Sequence, residues 1–358
     1  MASDNHMELE QIIGQLFLLG FQGSSIDQDH PIRRDIETLN LGGVILFDRL
    51  LAKGLEANNI ISADQVKALT RSLQTLAPTP LFICVDQEGG LVTRLKEKHG
   101  FPRMESAAAL SKQNDPDITE SRARTTAKLL FELGINVNFA PVVDVNITDD
   151  NPVIGRLGRS FSSRPEEVTR QAEAWIRGHQ YHHVLSCAKH FPGHGSSRDD
   201  SHLGFVEITN TWQKCELEPF RRLIQAGLVE MVMTGHLFHA GLDATYPATL
   251  SRPIIQGLLR EQLGYSGLVI SDDLQMKAIT DRYGLEEAVC LALDAGVDLL
   301  IIGNNLAFDK EILPKLITSV METIADGRLS EQRIRSALHR VQAAKHRLNP
   351  SNHMKERG

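Results

Sequence analysis

Eight short apolar runs alternate along the chain with stretches long enough for a helix, and this alternation restricts the fold more than any other feature. Apolar runs of this length are typical of strands buried on both faces, as in parallel sheets with helical crossovers. Eight such units predict a (β/α)8 barrel, with an open doubly wound sheet as the alternative. The runs are residues 16–21, 43–47, 81–85, 137–143, 185–188, 231–233, 268–270 and 298–302.

The 358 residues show no internal repeat, low-complexity block or linker. We therefore expect one domain over residues 8–348. Near its end, Ser330 precedes apolar residues at helical spacing and predicts the N-cap of a closing helix. Residues 1–7 are expected to be an N-terminal segment that is either disordered or not native to the protein, and residues 349–358 a frayed tail.

Composition excludes several classes of protein. Hydrophobic residues make up 42% of the chain and charged residues 23%, as in globular domains. A net charge of −7 without a long basic run argues against a nucleic-acid partner. The chain has neither a signal-peptide pattern at its start nor an apolar run of roughly 20 residues, which a membrane span needs. We expect a cytoplasmic monomer that binds neither nucleic acid nor membranes.

Polar residues stand just past several of the apolar runs. In a barrel this is the end of the strands at which active sites form. A lysine at the end of a buried strand is rare unless it has a partner. These positions therefore predict an active site on one rim of the barrel, and they are Asp86, Lys189, His190, His236 and Asp272.

The loop that follows the fifth run contains a second group of titratable residues. Asp200 and His202 are two positions apart, so in an extended segment their side chains point the same way. An ionised aspartate orients a neighbouring histidine and favours its protonated form. His202 is therefore a candidate general acid, and afterwards a general base for water.

Asp272 lies two positions after the seventh run and is followed by Asp273. A carboxylate at a strand end can attack an anomeric carbon and form a covalent glycosyl-enzyme intermediate. One of the two aspartates could instead cap the next helix. The spacing alone leaves both interpretations open.

A metal centre and a cofactor site are both disfavoured. His190, His194 and His202 could supply ligands together with Asp199 or Asp200, but a proline and a glycine after Phe191 break the helix that would align the first two histidines. The Gly89-Gly90 pair fits neither a P-loop nor a dinucleotide fingerprint. We expect no metal and no cofactor.

Four motifs in order resemble those of the bacterial β-N-acetylglucosaminidases of glycoside hydrolase family 3. The resemblance extends from about Ile13 to His346 and implies the barrel rather than the open sheet. The motifs are DQEGGLVTR at 86–94, GRSFS at 158–162, KHFPGHG at 189–195 with DSH at 200–202, and SDDLQM at 271–276.

The resemblance also implies roles for these residues. Asp272 would be the nucleophile with Asp273 in support, and His202 with Asp200 the acid/base pair. A histidine is unusual there, because retaining glycosidases generally use a second carboxylic acid. The residues implied to bind the sugar are Asp86, Arg94, Arg159, Lys189, His190 and Met276.

Two of these assignments keep an alternative. Arg156 could replace Arg159, because the spacing of Gly155-Arg-Leu-Gly158 is longer than in the family. Met276 could contact an acetamido methyl group or belong to the core. His194, between two glycines, is interpreted as structural.

The implied activity is that of a retaining exo-β-N-acetylglucosaminidase. It would release terminal N-acetylglucosamine from muropeptides during cell-wall recycling, or from small glycosides. Alternatives are a phosphorylase, a broader β-glucosidase and a sugar-binding protein without activity. Substrate-assisted catalysis through the acetamido oxygen is a mechanistic rival.

Overall fold

A computed structural model describes residues 8–201 and 204–348. Eight strands, all paired in parallel, close into a barrel in chain order, and a separate pair, β6 and β8, forms a small parallel sheet. The (β/α)8 barrel is confirmed, and each predicted run overlaps one of its strands. The strands are β1 (Phe17–Gly20), β2 (Gly43–Ile45), β3 (Phe82–Val85), β4 (Val137–Asn138), β5 (Leu185–Phe191), β6 (Val206–Glu207), β7 (Met231–Thr234), β8 (Leu237–Phe238), β9 (Leu268–Asp273) and β10 (Leu299–Ile302).

Helices connect the barrel strands around the outside. A π-helix, Pro253–Gln262, occupies the connection between β7 and β9. Ser330 accepts a hydrogen bond from the Arg333 amide and caps the closing helix as predicted. Along the described part of the chain, none of the helices is both long and apolar enough to span a bilayer. The α-helices are α1 (Leu9–Gly14), α2 (Pro31–Glu37), α3 (Ala63–Leu76), α4 (Ala107–Ser111), α5 (Pro116–Glu132), α6 (Pro165–Gln180), α7 (Glu218–Gln225), α8 (Lys277–Thr280), α9 (Leu285–Ala295), α10 (Ile312–Ala325) and α11 (Glu331–His346).

The strands are largely apolar because both of their faces are covered. Every residue of β1, β3, β5, β7 and β10 is buried, with side chains pointing either into the barrel or towards the helices. Strand β9 differs at its carboxyl end, where Asp272 and Asp273 are half-buried. The barrel thus opens to solvent at the rim where the sequence predicts the site.

At the opposite end of the barrel, Asp298 fixes two outer helices. Its buried carboxylate lies 2.6 Å from Arg260 of the π-helix, and 3.0 and 3.1 Å from Arg333 and Arg340 of α11. It also accepts the Val269 amide of β9 at 3.0 Å. Because a buried carboxylate without partners is strongly destabilising, these contacts hold the closing helix against the strands.

Lys345 of α11 is buried at the same end of the barrel. Its ammonium donates to the neutral side-chain amide of Gln15 at 2.8 Å and stands 5.1 Å from the centre of the Phe82 ring. Burial disfavours the charged form and lowers the pKa of Lys345 to about 7. The protein therefore carries a lysine that titrates near neutral pH far from the predicted site.

We predict that Lys345→Met changes how stability depends on pH. The pKa of Lys345 is lowered in the folded state from 10.5 to about 7, so the unfolded chain binds more protons between these values. Stability then rises with pH across this window, by up to ~1.4 kcal/mol per pH unit from this group. The variant should exceed the wild type in free energy of unfolding at about pH 6, and the difference should shrink by about pH 9. Urea unfolding of the wild type and the variant at the two pH values measures this difference, and Lys310→Met, at an exposed lysine, is the control. A difference that stays constant with pH would contradict the prediction.

Candidate active site

The predicted polar residues meet at the carboxyl ends of the barrel strands. Asp86 follows β3, Lys189 and His190 lie in the second half of β5, and Asp272 lies near the end of β9. Neighbouring parallel strands end at the same rim, which is why residues far apart in sequence become neighbours here.

Lys189 links two carboxylates from the loop after β3. Its Nζ lies 2.9 Å from Asp86 Oδ1 and 2.7 Å from Glu88 Oε1. Arg94 Nη2 lies 3.4 Å from the other Asp86 oxygen. Burial acts to raise the pKa of Asp86, but Lys189 and Arg94 outweigh it and hold the pKa below its usual value. The Asp86 carboxylate is therefore ionised between two cations.

Arg159 forms a two-pronged ion pair with Glu88. Its Nε and Nη2 each lie 2.8 Å from a Glu88 oxygen, and Nη2 also lies 3.2 Å from Nε2 of His190. By contrast, the side chain of Arg156 is 63% exposed and 3.6 Å from Asp150 at the surface. The structure thus brings Arg159, and not Arg156, to the other predicted residues.

Glu88 was not among the predicted residues, although it belongs to the site. Burial acts to raise its pKa, but Arg159 and Lys189 lower it well below the usual range. It stands two positions after Asp86, and in an extended segment such residues face the same side. That spacing could have identified it.

Asp144, also missed, orients His190. Its Oδ2 lies 2.7 Å from Nδ1 of His190, and its Oδ1 accepts the backbone amides of His190 at 3.1 Å and His194 at 2.8 Å. Burial acts to raise the pKa of Asp144, but His190 outweighs it and lowers the pKa, so the carboxylate only accepts hydrogen bonds. His190 must therefore carry a proton on Nδ1, and its Nε2 can accept from Arg159. Asp144 follows the predicted run 137–143, so its position at a strand end was a usable signal.

The two aspartates at the end of β9 differ in their surroundings. Asp272 Oδ1 accepts the Asp273 amide at 2.8 Å, while Asp273 Oδ1 accepts the amides of Gln275 and Gly303, each at 3.0 Å. Burial acts to raise the pKa of Asp272, but electrostatic interaction with the nearby rings of His236 and His190 and the hydrogen bond from the Asp273 amide outweigh it and lower the pKa to about 2. Asp272 is therefore ionised at neutral pH, while Asp273 fixes the backbone.

His236 lies beside this pair. Its Nε2 donates to the Asp273 carbonyl oxygen at 2.9 Å, and its Nδ1 lies 2.9 Å from the Thr249 hydroxyl. Only 1% of the residue is exposed. Its place near the pocket agrees with the sequence analysis, and its effect on Asp272 is electrostatic.

The loop after β5 passes close to the Asp272 segment. The carbonyl oxygen of Ser201, next to Asp200, accepts the amide of Ala278 in α8 at 3.1 Å. His202 lies outside the described residues, so its predicted role as acid stays a prediction. His194 is buried, with Nδ1 2.6 Å from the Ser197 hydroxyl, and burial lowers its pKa to about 4, in keeping with a structural role.

Met276 is only 2% exposed and stands at the N-cap of α8. Its side chain is buried, and contact with a ligand stays a prediction. Within residues 8–201 and 204–348, no three His, Cys, Asp or Glu side chains are grouped so as to hold a metal ion.

We predict that Asp144→Asn changes the tautomer of His190. An amide oxygen can replace Oδ1 for the two backbone amides, but the amide nitrogen then faces Nδ1 of His190 and donates to it. The ring proton would move to Nε2, where it meets the guanidinium of Arg159.

Two-bond proton–nitrogen NMR spectra of the imidazole rings should show Nδ1–H for His190 in the wild type and Nε2–H in the variant. The free energy of unfolding should fall by about 1–3 kcal/mol, because the buried Nε2–H of His190 would face the Arg159 guanidinium, which has no acceptor. Asp150→Asn, at an exposed aspartate of the same loop, is the control. An unchanged His190 tautomer would show that Asp144 does not set it.

Comparison with known proteins gives a consistent result. Residues 8–344 match the Glycosyl hydrolase family 3 N terminal domain. The Beta-hexosaminidase A of Pseudoalteromonas piscicida is 33% identical, over 98% of this chain and 63% of the relative. The Beta-hexosaminidase of Tolumonas auensis is 36% identical, over 84% of this chain and 86% of the relative.

Two solved structures share the fold closely. A glycoside hydrolase family 3 beta-N-acetylglucosaminidase from Paenibacillus sp. has a TM-score of 0.87 at 35% identity, and the match covers 96% of this chain and 63% of that one. A Beta-N-acetylhexosaminidase from Beutenbergia cavernae has a TM-score of 0.84 at 29% identity, with coverages of 95% and 99%.

The chain thus spans 63% of the length of the Pseudoalteromonas relative and of the Paenibacillus structure. The family match nevertheless covers the whole barrel, from residue 8 to residue 344. The chain belongs to glycoside hydrolase family 3.

Proposed function

We propose that the protein is a retaining exo-β-N-acetylglucosaminidase that hydrolyses terminal β-linked N-acetylglucosamine. The observation that carries the proposal is an ionised carboxylate, Asp272, at the open rim of the barrel near a cluster of paired charged groups. The names of the relatives support the substrate, since they are hexosaminidases and N-acetylglucosaminidases.

The proposed sugar site uses charged groups that are already paired. Asp86 would accept hydrogen bonds from two sugar hydroxyls, which an ionised carboxylate does better than a neutral acceptor. Lys189, Arg94 and Arg159 would donate to sugar oxygens, while Asp86 and Glu88 hold them in place. Groups fixed before binding need little reorganisation as the transition state forms.

The proposed chemistry has two steps. Asp272 attacks the anomeric carbon, the glycosidic bond breaks, and His202, paired with Asp200, gives its proton to the departing oxygen. Neutral His202 then takes a proton from water, whose oxygen displaces Asp272 and releases the sugar with its original anomeric configuration. The low pKa of Asp272 suits both steps, because the carboxylate is charged when it attacks and leaves readily afterwards.

The proposed natural substrates are peptidoglycan fragments that carry N-acetylglucosamine on anhydro-N-acetylmuramic acid. They would be handled during cell-wall recycling, with the protein acting as a monomer in the cytoplasm. This part of the proposal rests on the family resemblance alone, since the names of the relatives specify only the hexosamine.

Phosphorolysis is the second candidate. The sequence feature in its favour is His202, the predicted acid, because a histidine places less negative charge near an incoming phosphate than a glutamate would. The two reactions give different products, free sugar or sugar 1-phosphate.

The proposal is tested with 4-nitrophenyl N-acetyl-β-D-glucosaminide beside the corresponding glucoside, with and without phosphate. We expect hydrolysis of the acetamido sugar without phosphate. Asp272→Ala should lower kcat by at least ~10³-fold, because the nucleophile is removed, and His202→Ala by about 10²–10⁴-fold. Asp294→Ala, at an exposed aspartate of α9, should leave the rate unchanged.

Equal or faster cleavage of the glucoside would overturn the substrate assignment. Sugar 1-phosphate as the main product would favour the phosphorylase. An Asp272→Ala variant with wild-type activity would contradict the mechanism.

A further inference from the structure

Glu216 lies beneath the start of the loop that carries Asp200 and His202. It belongs to a short 3-10 helix, Lys214–Leu217, directly before α7. Its side chain is buried, and burial raises its pKa to about 7. Glu216 belongs neither to the proposed sugar site nor to the groups proposed to carry out the chemistry.

The carboxyl group of Glu216 accepts backbone amides on both oxygens and also interacts with the side chain and the backbone of Ser196. Oε2 accepts the amide of Gly195 at 3.1 Å, and Oε1 accepts the amide of Gln213 at 3.0 Å. A Cβ atom added at Gly193 would lie 2.7 Å from the Cβ of Glu216, so the chain passes directly over this side chain. Glu216 therefore links the loop to the helix that follows it.

Residues 193–195, where the loop begins, are held from the barrel side as well. Asp144 accepts the His194 amide at 2.8 Å, and the Asn151 side chain donates to the His194 carbonyl oxygen at 2.8 Å. At Gly195 a Cβ would lie 1.7 Å from the Val145 carbonyl oxygen, so only glycine fits. Residues 193–195 are thus clamped between Asp144 and Glu216, and we call them the loop base.

The loop base determines where the chain points as it leaves the barrel. Asp200 lies five residues after Gly195. The backbone carbonyl oxygen of the following residue, Ser201, accepts a hydrogen bond from the amide of Ala278 in α8. Rotation of the Gly195 peptide would redirect this short span relative to Asp272. The contact between Glu216 and the Gly195 amide therefore bears on where Asp200 lies.

We propose that Glu216 is a positioning residue for the Asp200/His202 pair and acts through the amide of Gly195. The inference rests on the proposed function and extends it to a residue that does not touch the sugar. Loss of the Glu216 carboxyl group would leave binding and attack by Asp272 in place but misalign the group that protonates the leaving oxygen.

A comparison of leaving groups separates this role from a structural one. The 2,4-dinitrophenolate ion departs without a proton, whereas methoxide needs one from the acid. For Glu216→Ala we expect kcat/KM on methyl N-acetyl-β-D-glucosaminide to fall by about 10²-fold, and on the 2,4-dinitrophenyl glycoside by less than about 3-fold. Glu216→Gln keeps one acceptor and should lie between the wild type and the alanine variant on the methyl glycoside. Glu218→Ala, two residues later at a partly exposed glutamate, should match the wild type on both.

The inference would be overturned if Glu216→Ala lost kcat/KM equally on the two glycosides. If the alanine variant does not fold, the same comparison is made with Glu216→Gln. Hydrolysis of neither glycoside by the wild type would overturn the proposed function, and this inference with it.

Discussion

The site depends on one buried cation, the ammonium of Lys189. It lies inside the barrel rim on β5, where a charge without partners would cost several kcal/mol. Asp86 and Glu88 supply the neutralising charge from the loop after β3, and Glu88 in turn binds Arg159 from the loop after β4. Three segments are thereby tied together before any ligand arrives. Each group that would bind a sugar is held by a group that pairs with it.

The carboxylates around the rim perform different tasks because their partners differ. Asp144 accepts hydrogen bonds from a ring and two backbone amides, and Asp273 accepts from two amides, so both are used to hold structure. Asp272 lies at the open end of β9, and the nearby rings of His236 and His190 stabilise its ionised form. Its surroundings keep the Asp272 carboxylate charged, and its position near the end of β9 leaves it partly open to solvent at the barrel rim.

The barrel and most of the rim were predictable because the strands are buried on both faces. Apolar runs therefore marked the strands, and the polar residues that end them, such as Asp86 and Lys189, marked the rim. The spacing could not decide between Arg156 and Arg159, since the fold of the loop sets which one turns inward. Glu216 gave no signal, because its burial results from loop packing that no local pattern encodes. The assignment of His202 rests on the family resemblance.

The most direct test of the mechanism is to trap the sugar on the protein. A 5-fluoro derivative of N-acetylglucosaminyl fluoride has a good leaving group and a slowed second step, so a covalent intermediate should accumulate. Mass spectrometry of the digested protein should find the fluorinated sugar on the peptide that contains Asp272, and at Asp272 itself on fragmentation. Turnover of ordinary substrate with no adduct, or with an adduct on another residue, would contradict Asp272 as the nucleophile.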